Sequence, residues 1–371
     1  MFEVAERLEP RKAEVNGFLE LFKLMVEKGA SDLHLRVPSP PVLRIDGVLT
    51  LLQDWPPMTA KDVEMLLDSV ASSEQMSTFN TALELDFAYE VPGLARLRVS
   101  ALRQRGTISL SFRRVPIEIP SIDNLGLPQL CKEFILKPRG LILVTGPTGS
   151  GKSTTVAAMI DYLNENAARN VITIEDPIEY LHPNKRCLIA QRDLGYDTKS
   201  FDVALVHALR HDPDVIVVGE MRDMTTISTA IRAAETGHLV ISTLHTIDAA
   251  QTVDRIIDVF PPDQQQQIRL QLSQVIEAVI SQALLPRIAG GRIGAFEVMI
   301  ATPAVRNLIR DKKTFELPNV MQLNGNGGMQ TLDDALAALV KSSIVSQEEA
   351  MMKSSNPERL KKSLEYRPMV F

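Results

Sequence analysis

The chain has 371 residues, enough for two or three domains, and its 45% hydrophobic and 23% charged content is typical of a soluble globular protein. A formal net charge of −6 argues against broad nucleic-acid binding, which favours basic surfaces. No apolar run approaches the ~18 residues of a membrane span, and Met1 to Glu14 lacks an apolar core, so we expect neither a transmembrane segment nor a signal peptide.

The first part of the chain predicts a mixed α/β domain with an antiparallel sheet, over residues 17–115, after a polar lead over residues 1–16. Apolar residues at helical spacing predict helices over Phe18–Glu27 and Asp62–Val70. Turns are predicted at Asp46-Gly47 and Pro92-Gly93. Alternating runs predict strands over Ser31–Leu35, Val42–Ile45, Leu83–Glu90, Arg96–Leu102 and Thr107–Phe112.

The pattern changes after the prolines Pro116 and Pro120, which indicate a linker over residues 116–125. Short apolar runs at 141–144, 171–174, 215–218 and 239–242 then alternate with helical stretches. This alternation predicts a parallel sheet with crossover helices over residues 126–301. The remaining residues, 302–371, read as mostly helical.

A glycine-rich loop follows the first of these apolar runs. It fits the pattern G-x-x-x-x-G-K-[ST] and lies between a predicted strand and a predicted helix, which is the context of a phosphate-binding loop for ATP. Its backbone N–H groups and the helix N-terminus favour anionic phosphates. We expect Lys152 to reach the β- and γ-phosphates and the Ser153 hydroxyl to hold Mg²⁺. The nucleotide-binding candidates are Gly146, Pro147, Thr148, Gly149, Ser150, Gly151, Lys152, Ser153 and Thr154.

Two acidic residues, Glu175 and Glu220, follow two of the predicted parallel strands. Ligands of such sheets bind beyond the carboxyl ends of the strands, so both carboxylates are expected at the phosphate site. One is expected to hold Mg²⁺ through water and the other to activate the attacking water, with the division of roles open. The alternative is that they cap the following helices. Gly219 stands where many such enzymes have Asp, so Glu220 is expected to act alone or through water.

Two histidines bracket the last predicted strand, His238 before it and His245 after it. The strand separates them by roughly 20 Å. His245 is therefore expected on the nucleotide side, where it can sense the γ-phosphate. His238 is expected to have a structural role at the opposite edge. Metal ligation is not expected, because no partner ligands have suitable spacing.

The predicted antiparallel domain contains an arginine-rich stretch. Between Pro92 and Pro116 there are six arginines and no acidic residue. A solvated face explains this stretch, and so does an anionic partner such as the phosphates of a nucleotide held by another domain or subunit. These arginines are Arg96, Arg98, Arg103, Arg105, Arg113 and Arg114.

With these motifs, the chain resembles the secretion-superfamily ATPases that power type IV pili and type II secretion, and most of all their pilus retraction group, the PilT/PilU group. The resemblance covers nearly the whole chain, and in it Gly219-Glu220 follows the family's own habit. Besides the phosphate loop, the matching segments are 29–35, 173–179 (the Asp box), 212–223 (Walker B), 237–246 (the His box) and 329–333.

Two features point to the retraction group. The assembly ATPases carry a four-cysteine zinc element, which the two distant cysteines Cys131 and Cys187 cannot form. We expect these to be reduced, structural thiols of a cytoplasmic protein. The segment Ala304–Asp311 resembles a C-terminal motif of the retraction group, and its Arg306 and Arg310 share a helix face that can meet a partner or a neighbouring domain.

The resemblance implies a PAS-like α+β first domain and a RecA-like ATPase domain with a helical C-terminal part, assembled as a homohexamer with ATP and Mg²⁺ at its subunit boundaries. It implies a cytoplasmic motor at the inner-membrane base of a pilus, which works with a membrane platform protein and a paralogous ATPase. It also implies that Arg98, Arg105, Arg113 and Arg210 approach nucleotide. A PilU-like accessory ATPase with low turnover and an assembly ATPase are the alternatives; a nucleic-acid motor conflicts with the acidic balance.

Overall fold

The computed structural model describes residues 9–45, 47–115 and 118–365, with 9–16 and 326 as backbone only. The chain divides between Glu118 and Ile119 into two compact units, each built on one sheet. Residues 1–8 of the predicted lead, Asp46 of the first predicted turn, residues 116–117 of the predicted linker and residues 366–371 lie outside the described residues. Across the ranges given above, no helix combines the length and apolarity needed to cross a membrane.

The first unit is an antiparallel sheet with helices, in the strand order β3-β2-β1-β6-β5-β4. Its inward-facing side chains alternate along β5, as the period of a half-buried strand requires. The helices are α1 (Glu9–Glu27), α2 (Ala60–Val70) and α3 (Ser73–Ala82). The strands are β1 (Asp32–Leu35), β2 (Val42–Ile45), β3 (Val48–Leu51), β4 (Glu84–Val91), β5 (Ala95–Gln104) and β6 (Thr107–Val115).

Three elements of this unit differ from the prediction. Helix α1 begins at Glu9 and not at Phe18, since residues 9–14 are rich in the helix formers Glu, Lys and Ala. Helix α3 was not predicted because it buries only Phe79 and therefore lacks an apolar stripe; the side chain of Ser72 caps its first turn. Strand β3 was not predicted because its four residues, VLTL, do not alternate as a half-buried strand does; all four are exposed.

The second unit contains a mainly parallel sheet in the order β13-β12-β7-β11-β10-β8-β9, in which only β13 runs antiparallel to its neighbour. The strands are β7 (Gly140–Thr145), β8 (Asn170–Glu175), β9 (Leu188–Asp193), β10 (Val215–Val218), β11 (Leu239–Leu244), β12 (Ile276–Pro286) and β13 (Arg292–Ile300). The four predicted apolar runs lie in β7, β8, β10 and β11, which are almost fully buried.

Helices cover both faces of this sheet and continue into the C-terminal region. The core helices are α4 (Leu130–Ile135), α5 (Lys152–Asn166), α6 (Phe201–Ala208), α7 (Met224–Glu235), α8 (Ala249–Asp258) and α9 (Pro262–Val275). The C-terminal helices are α10 (Pro303–Arg310), α11 (Leu317–Leu323), α12 (Leu332–Lys341), α13 (Gln347–Lys353) and α14 (Pro357–Glu365), with short 3₁₀ turns at Thr314–Glu316 and Gly325–Gly327. The predicted fold class is confirmed: an α/β chain with an N-terminal sheet domain, a parallel-sheet domain and a helical C-terminal part.

The β12–β13 hairpin was not predicted. Strand β12 follows α9 directly, with no glycine or proline at the junction, and its Ala, Leu, Gln and Ser residues do not distinguish a strand from a helix. The hairpin extends the sheet beyond β7, in register with Ser281 opposite Thr145. On its other side, Leu285 and Ala295 pack with the C-terminal helices, at Leu332 and Leu336 among others.

Arg306, in the segment that resembles the retraction motif, has an internal role. Its guanidinium donates to the main-chain oxygens of Ser273 and Gln274, at 3.0 and 2.7 Å, and to the Glu277 carboxylate at 2.7 Å. It thereby satisfies carbonyls at the end of α9, which have no partner within that helix. Arg310 is exposed and bonds within its own helix, to Asn307. The face was expected to meet a partner or a neighbouring domain; the donors of Arg306 bind segment 273–277 of the same unit, and the expectation for Arg310 stays a prediction.

Glu297 on β13 is a buried carboxylate that joins two helix N-termini. One oxygen accepts from the N–H of Ala249, the first residue of α8, at 2.8 Å, and the other accepts from the N–H of Leu332, the first residue of α12, at 3.2 Å. Burial, helped by the charges of Asp248 and Asp333, raises the pKa of Glu297 to about 7, although the two N–H donors oppose this. The side chain therefore connects the parallel-sheet core to the C-terminal helices at a place where burial disfavours its ionised form.

This raised pKa predicts a specific pH dependence of stability. The folded-state pKa lies above the unfolded value of 4.5, so the contribution of Glu297 to stability is present below pH 4.5 and is lost as the pH rises through about 7. The size of the effect is on the order of 3 kcal/mol. We expect Glu297→Gln, which cannot ionise, to gain stability relative to the parent protein between pH 5 and pH 8, measured as the difference between their melting temperatures. Parallel pH profiles of the two proteins would contradict this.

Candidate active site

The carboxyl ends of β7, β8, β10 and β11 meet at one edge of the sheet, because these strands are parallel neighbours. The glycine-rich loop follows β7 there, and α5 begins at Lys152. Glu175 ends β8, Glu220 lies two residues after β10, and His245 directly follows β11. The sequence-predicted phosphate loop, both acidic residues and His245 are therefore brought to the same edge.

The backbone of the loop closes against the sheet. Gly146 has a φ of +144°, and a Cβ on it would lie 2.4 Å from the main-chain oxygen of Gln282, so only glycine is accommodated. Gly149 and Gly151 also have positive φ angles, of +79° and +91°. Ser150 is buried, and its hydroxyl has no hydrogen-bond partner among the described residues. These are the features of a cradle shaped for an anion.

Lys152 points back into the loop. Its Nζ donates to the main-chain oxygens of Gly146, at 2.8 Å, and Pro147, at 3.2 Å. Burial lowers the pKa of Lys152, and the negative charges of Glu220 and Glu179 partly oppose this. The ammonium is thus held by neutral carbonyls of the loop alone, and phosphate oxygens are a stronger partner for it.

A chain of side chains links the loop to Glu220. The hydroxyl of Thr148 lies 3.4 Å from Nδ1 of His245, whose Nε2 lies 3.3 Å from a carboxylate oxygen of Glu220. The other oxygen of Glu220 accepts from the guanidinium of Arg222 at 2.8 Å. The predicted role of His245 near the γ-phosphate remains a prediction, but its contacts place it between the loop and this carboxylate.

The two candidate carboxylates have opposite electrostatic environments. The pKa of Glu220 lies below its usual value. Partial burial favours a higher pKa, but the hydrogen bond from Arg222 and the charge of His245 outweigh it. Burial raises the pKa of Glu175, and the hydrogen bonds from Thr173 and Gln191, at 2.6 and 3.0 Å, offset it only in part. A site with two carboxylates of divergent pKa is suited to divided roles in proton transfer.

Gly219 lies tightly against the end of the neighbouring strand. A Cβ at this position would lie 3.1 Å from the main-chain oxygen of Ile174 and 3.3 Å from Cα of Glu175. The missing side chain therefore lets the end of β10 approach the end of β8, where the N–H of Gly219 donates to Ile174 at 2.7 Å. An aspartate here, as in many phosphate-loop enzymes, would require the backbone at Ile174 and Glu175 to shift by a few tenths of an ångström.

The donors at this edge suit a nucleoside triphosphate with Mg²⁺. Backbone N–H groups of the loop, the Lys152 ammonium and the half-buried Ser153 hydroxyl are the groups that such a ligand requires. Among the described residues, no cluster of three or more His, Cys, Asp or Glu side chains can hold a metal alone. The expectation that Ser153 holds Mg²⁺, with Glu220 through water, stays a prediction. The Thr154 hydroxyl lies 2.9 Å from the Tyr180 hydroxyl.

The arginine candidates of the first unit do not form one cluster. Arg98 and Arg113 are directly paired across β5 and β6, and Nε of Arg113 also donates to the buried Asp32 at 2.8 Å. Arg105 lies in the turn between the two strands, roughly 20 Å along β5 from Arg98. Arg98 and Arg113 can therefore act together on one anion, whereas Arg105 cannot join them there.

Arg210 and His238 lie at the amino edge of the parallel sheet. Arg210 precedes β10, in a segment held by the side chain of Asn170 at the start of β8. Arg210 thus precedes β10, whereas the phosphate loop lies at the carboxyl edge of the sheet, and its expected contact with nucleotide stays a prediction. Nδ1 of His238 lies 2.9 Å from the main-chain oxygen of Ala233, at the end of α7, in keeping with the structural role expected for it.

Sequence reasoning missed two residues of this site. Arg222 was recognised only as part of a motif, although its position two residues after Glu220 was a usable signal. Gln191 lies on β9, an edge strand of mixed polarity, and donates to both Glu175 and the main-chain oxygen of Tyr180. No spacing in the sequence relates it to Glu175.

Cys131 and Cys187 are both buried free thiols, and burial raises the pKa of Cys131 to about 12.

Comparisons with known proteins agree with this architecture. Residues 21–352 match the family described as "Type II/IV secretion system protein". The chain is 48% identical over 339 residues, 91% of its length and 98% of the relative, to the Pseudomonas aeruginosa protein named "Type IV pilus retractation ATPase PilT". It is 39% identical over 345 residues, 93% of its length and 90% of the relative, to the "Type IV pilus ATPase PilU" of the same organism.

A solved structure is also similar over nearly the whole chain. It is described as the crystal structure of the pilus retraction motor PilT and bound ADP, and it matches with a TM-score of 0.88 and 47% identity. The match covers 93% of this chain and 98% of that one. The chain thus belongs to the type II/IV secretion system protein family, among its PilT-type ATPases.

Proposed function

We propose that this protein is a hexameric, Mg²⁺-dependent ATPase that drives retraction of a type IV pilus. The observation that carries the proposal is the 48% identity to the P. aeruginosa retraction ATPase over 91% of the chain. The site geometry supports it, since a complete phosphate loop is joined through Thr148 and His245 to Glu220. The similar crystal structure is of a retraction motor with bound ADP, which supports a nucleotide at this loop.

In the proposed reaction, water attacks the γ-phosphate in line with the departing ADP. Mg²⁺ supplies Lewis-acid stabilisation of the phosphate charge when bound. Lys152 neutralises charge on the β- and γ-phosphates, and the Ser153 hydroxyl holds the metal. Glu220 or Glu175 accepts a proton from the attacking water or orients it, and His245 connects Glu220 to the loop. Arg98 or Arg113 from a neighbouring subunit or domain would complete the charge stabilisation.

The assembly follows from the same proposal. Residues 17–115 form the PAS-like domain, 126–301 the RecA-like core and 302–371 the helical C-terminal region, joined by a linker over 116–125. Six copies form a ring with nucleotide at the subunit boundaries. The ring works in the cytoplasm at the inner-membrane base of the pilus, against a membrane platform protein, together with a paralogous ATPase. Gel filtration with light scattering of the full chain tests the hexamer.

Counting surface pili in a deletion strain tests the function. Retraction predicts that the deletion strain has excess pili and lacks twitching motility. The parent protein should reverse both defects, and the Lys152→Ala variant should reverse neither. A loss of pili on deletion would contradict retraction and indicate an assembly ATPase instead.

A PilU-like accessory role is the second candidate, favoured by the 39% identity to PilU over 93% of the chain. It predicts low steady-state ATPase activity that rises when a paralogue is added. Full activity of the purified protein alone supports the motor itself.

A further inference from the structure

Gln282, a buried residue on β12, holds the phosphate loop from the neighbouring strand. Its side chain is only 5% exposed. Its Nε2 donates to the main-chain oxygen of Ser150 at 2.6 Å, and its Oε1 accepts from the hydroxyl of Thr155 at 2.9 Å. One amide therefore binds both the last turn of the loop and the first turn of α5. Both of its polar ends are satisfied by that pair of contacts.

The backbone of the same residue contacts the other end of the loop. A Cβ on Gly146 would lie 2.4 Å from the main-chain oxygen of Gln282, so the first glycine of the loop packs directly on β12. One residue earlier, Ser281 on β12 lies opposite Thr145 on β7, which fixes the register of the two strands. The Ser281 hydroxyl accepts a hydrogen bond from the Thr145 hydroxyl at 2.8 Å. Residue 282 therefore contacts the beginning of the loop with its backbone and the end with its side chain.

The contact to Ser150 has a directional consequence. In a planar trans peptide, the C=O and the following N–H point in opposite directions. A hydrogen bond that holds the Ser150 oxygen toward β12 therefore holds the N–H of Gly151 away from β12, on the side where a phosphate cradle needs its donors. Without this bond, the Ser150 carbonyl lacks its donor, and β12 no longer holds the orientation of the peptide between Ser150 and Gly151.

We propose that Gln282 is a positioning residue for nucleotide binding, which sets the width of the phosphate loop and the direction of the Gly151 N–H. It does not touch the nucleotide and acts through Ser150, Gly151 and Thr155. This inference rests on the proposed nucleotide-binding function of the loop. It adds to that function a residue 132 positions after Ser150, on a strand that no phosphate-loop pattern includes.

Removing the amide tests the inference. We expect Gln282→Leu, a substitution of similar size without hydrogen-bonding groups, to raise the dissociation constant of the full-length protein for a fluorescent ADP analogue by about 10- to 100-fold. Gln266→Leu makes the same chemical change at an exposed position of α9 and should leave this constant unchanged. The melting temperature without nucleotide is measured for both variants, so that a loss of folding is separated from a loss of affinity.

A second variant separates positioning from a general packing role. In its protonated form, the carboxyl of Gln282→Glu supplies one donor and one acceptor, as the amide does, but once ionised it cannot donate to the Ser150 oxygen. We therefore expect the ratio of its dissociation constant to that of the parent protein to be close to one at low pH and to grow as the pH rises. This variant also covers the case in which Gln282→Leu does not fold.

The outcomes are distinct. If the parent protein binds the ADP analogue and both Gln282 variants bind it equally well at every pH, the inference is overturned and the proposed function stands. If the parent protein does not bind nucleotide, the proposed function fails and the inference fails with it. Weaker binding by Gln282→Leu, together with a pH-dependent ratio for Gln282→Glu, supports the positioning role.

Discussion

Replacing Glu220 with glutamine should lower kcat for ATP hydrolysis by about 10²- to 10⁴-fold, the range lost when a positioned acid or base is removed. The carboxylate is kept ionised by Arg222 and is joined to the loop through His245. Because Glu220 forms no part of a structural element, the variant should fold normally. Glu133→Gln, an exposed glutamate on α4, is the matched control and should keep full activity. Steady-state turnover of the two variants is the measurement.

The companion substitution at Glu175 distinguishes the two carboxylates by pH. Glu175→Gln leaves Glu220, whose pKa is lowered, so the acid limb of its residual activity should move to lower pH. Glu220→Gln leaves Glu175, whose pKa burial raises, so its acid limb should move to higher pH. Identical acid limbs would show that neither group is the titrating base. Parent-level turnover in the double variant would refute the assignment of both.

Lys152→Ala should reduce kcat/KM for ATP by about 10³-fold, since it removes the charge that faces the phosphates. In the structure, Nζ of Lys152 bonds only to carbonyl oxygens of its own loop, at Gly146 and Pro147. Lys152→Ala therefore breaks no buried ion pair, and its melting temperature without nucleotide should stay close to that of the parent protein. Lys199→Ala, at an exposed lysine, is the control for loss of one positive charge.

Affinity for ADP distinguishes the Lys152→Ala variant from the Glu220→Gln variant. Lys152→Ala should lose affinity for ADP as well as turnover, whereas Glu220→Gln should lose turnover alone. Unchanged ADP affinity in Lys152→Ala would contradict the contact between this lysine and the phosphates.

The sequence predicted the parts of the site that depend on strand ends. Glu175, Glu220 and His245 each follow a buried apolar run, and parallel strands bring such positions together whatever the details of packing. The elements that were missed have weak local signals: β9 is an edge strand of mixed polarity, and the composition of β12 does not distinguish a strand from a helix. Their contributions, through Gln191 and Gln282, are tertiary contacts that no spacing in the chain encodes.

The six arginines of the first unit also make a contact that the sequence could not predict. Six arginines without an acidic residue indicated a face for an anion, and the pairing of Arg98 with Arg113 is consistent with one. The sequence did not show that Asp32, far away in the chain and itself buried, accepts from Arg113. That contact depends on strand register, which is set by the whole sheet and not by local pattern. The position of Arg105 was different, because the predicted strand bounds already left it in the connection between the two strands.

The role of Arg306 changes how genetic data on this chain should be interpreted. Its side chain ties the end of α9 to Glu277, and Glu277 in turn also binds Lys137, beside α4. Arg306→Ala will therefore remove contacts that hold the end of α9 and Glu277 in place. A loss of motility in such a strain reports on the integrity of the motor domain. An alanine at exposed Arg310 removes a surface charge with little internal consequence. Only the second substitution can identify a docking partner, so the two arginines of one motif should be scored separately in any screen.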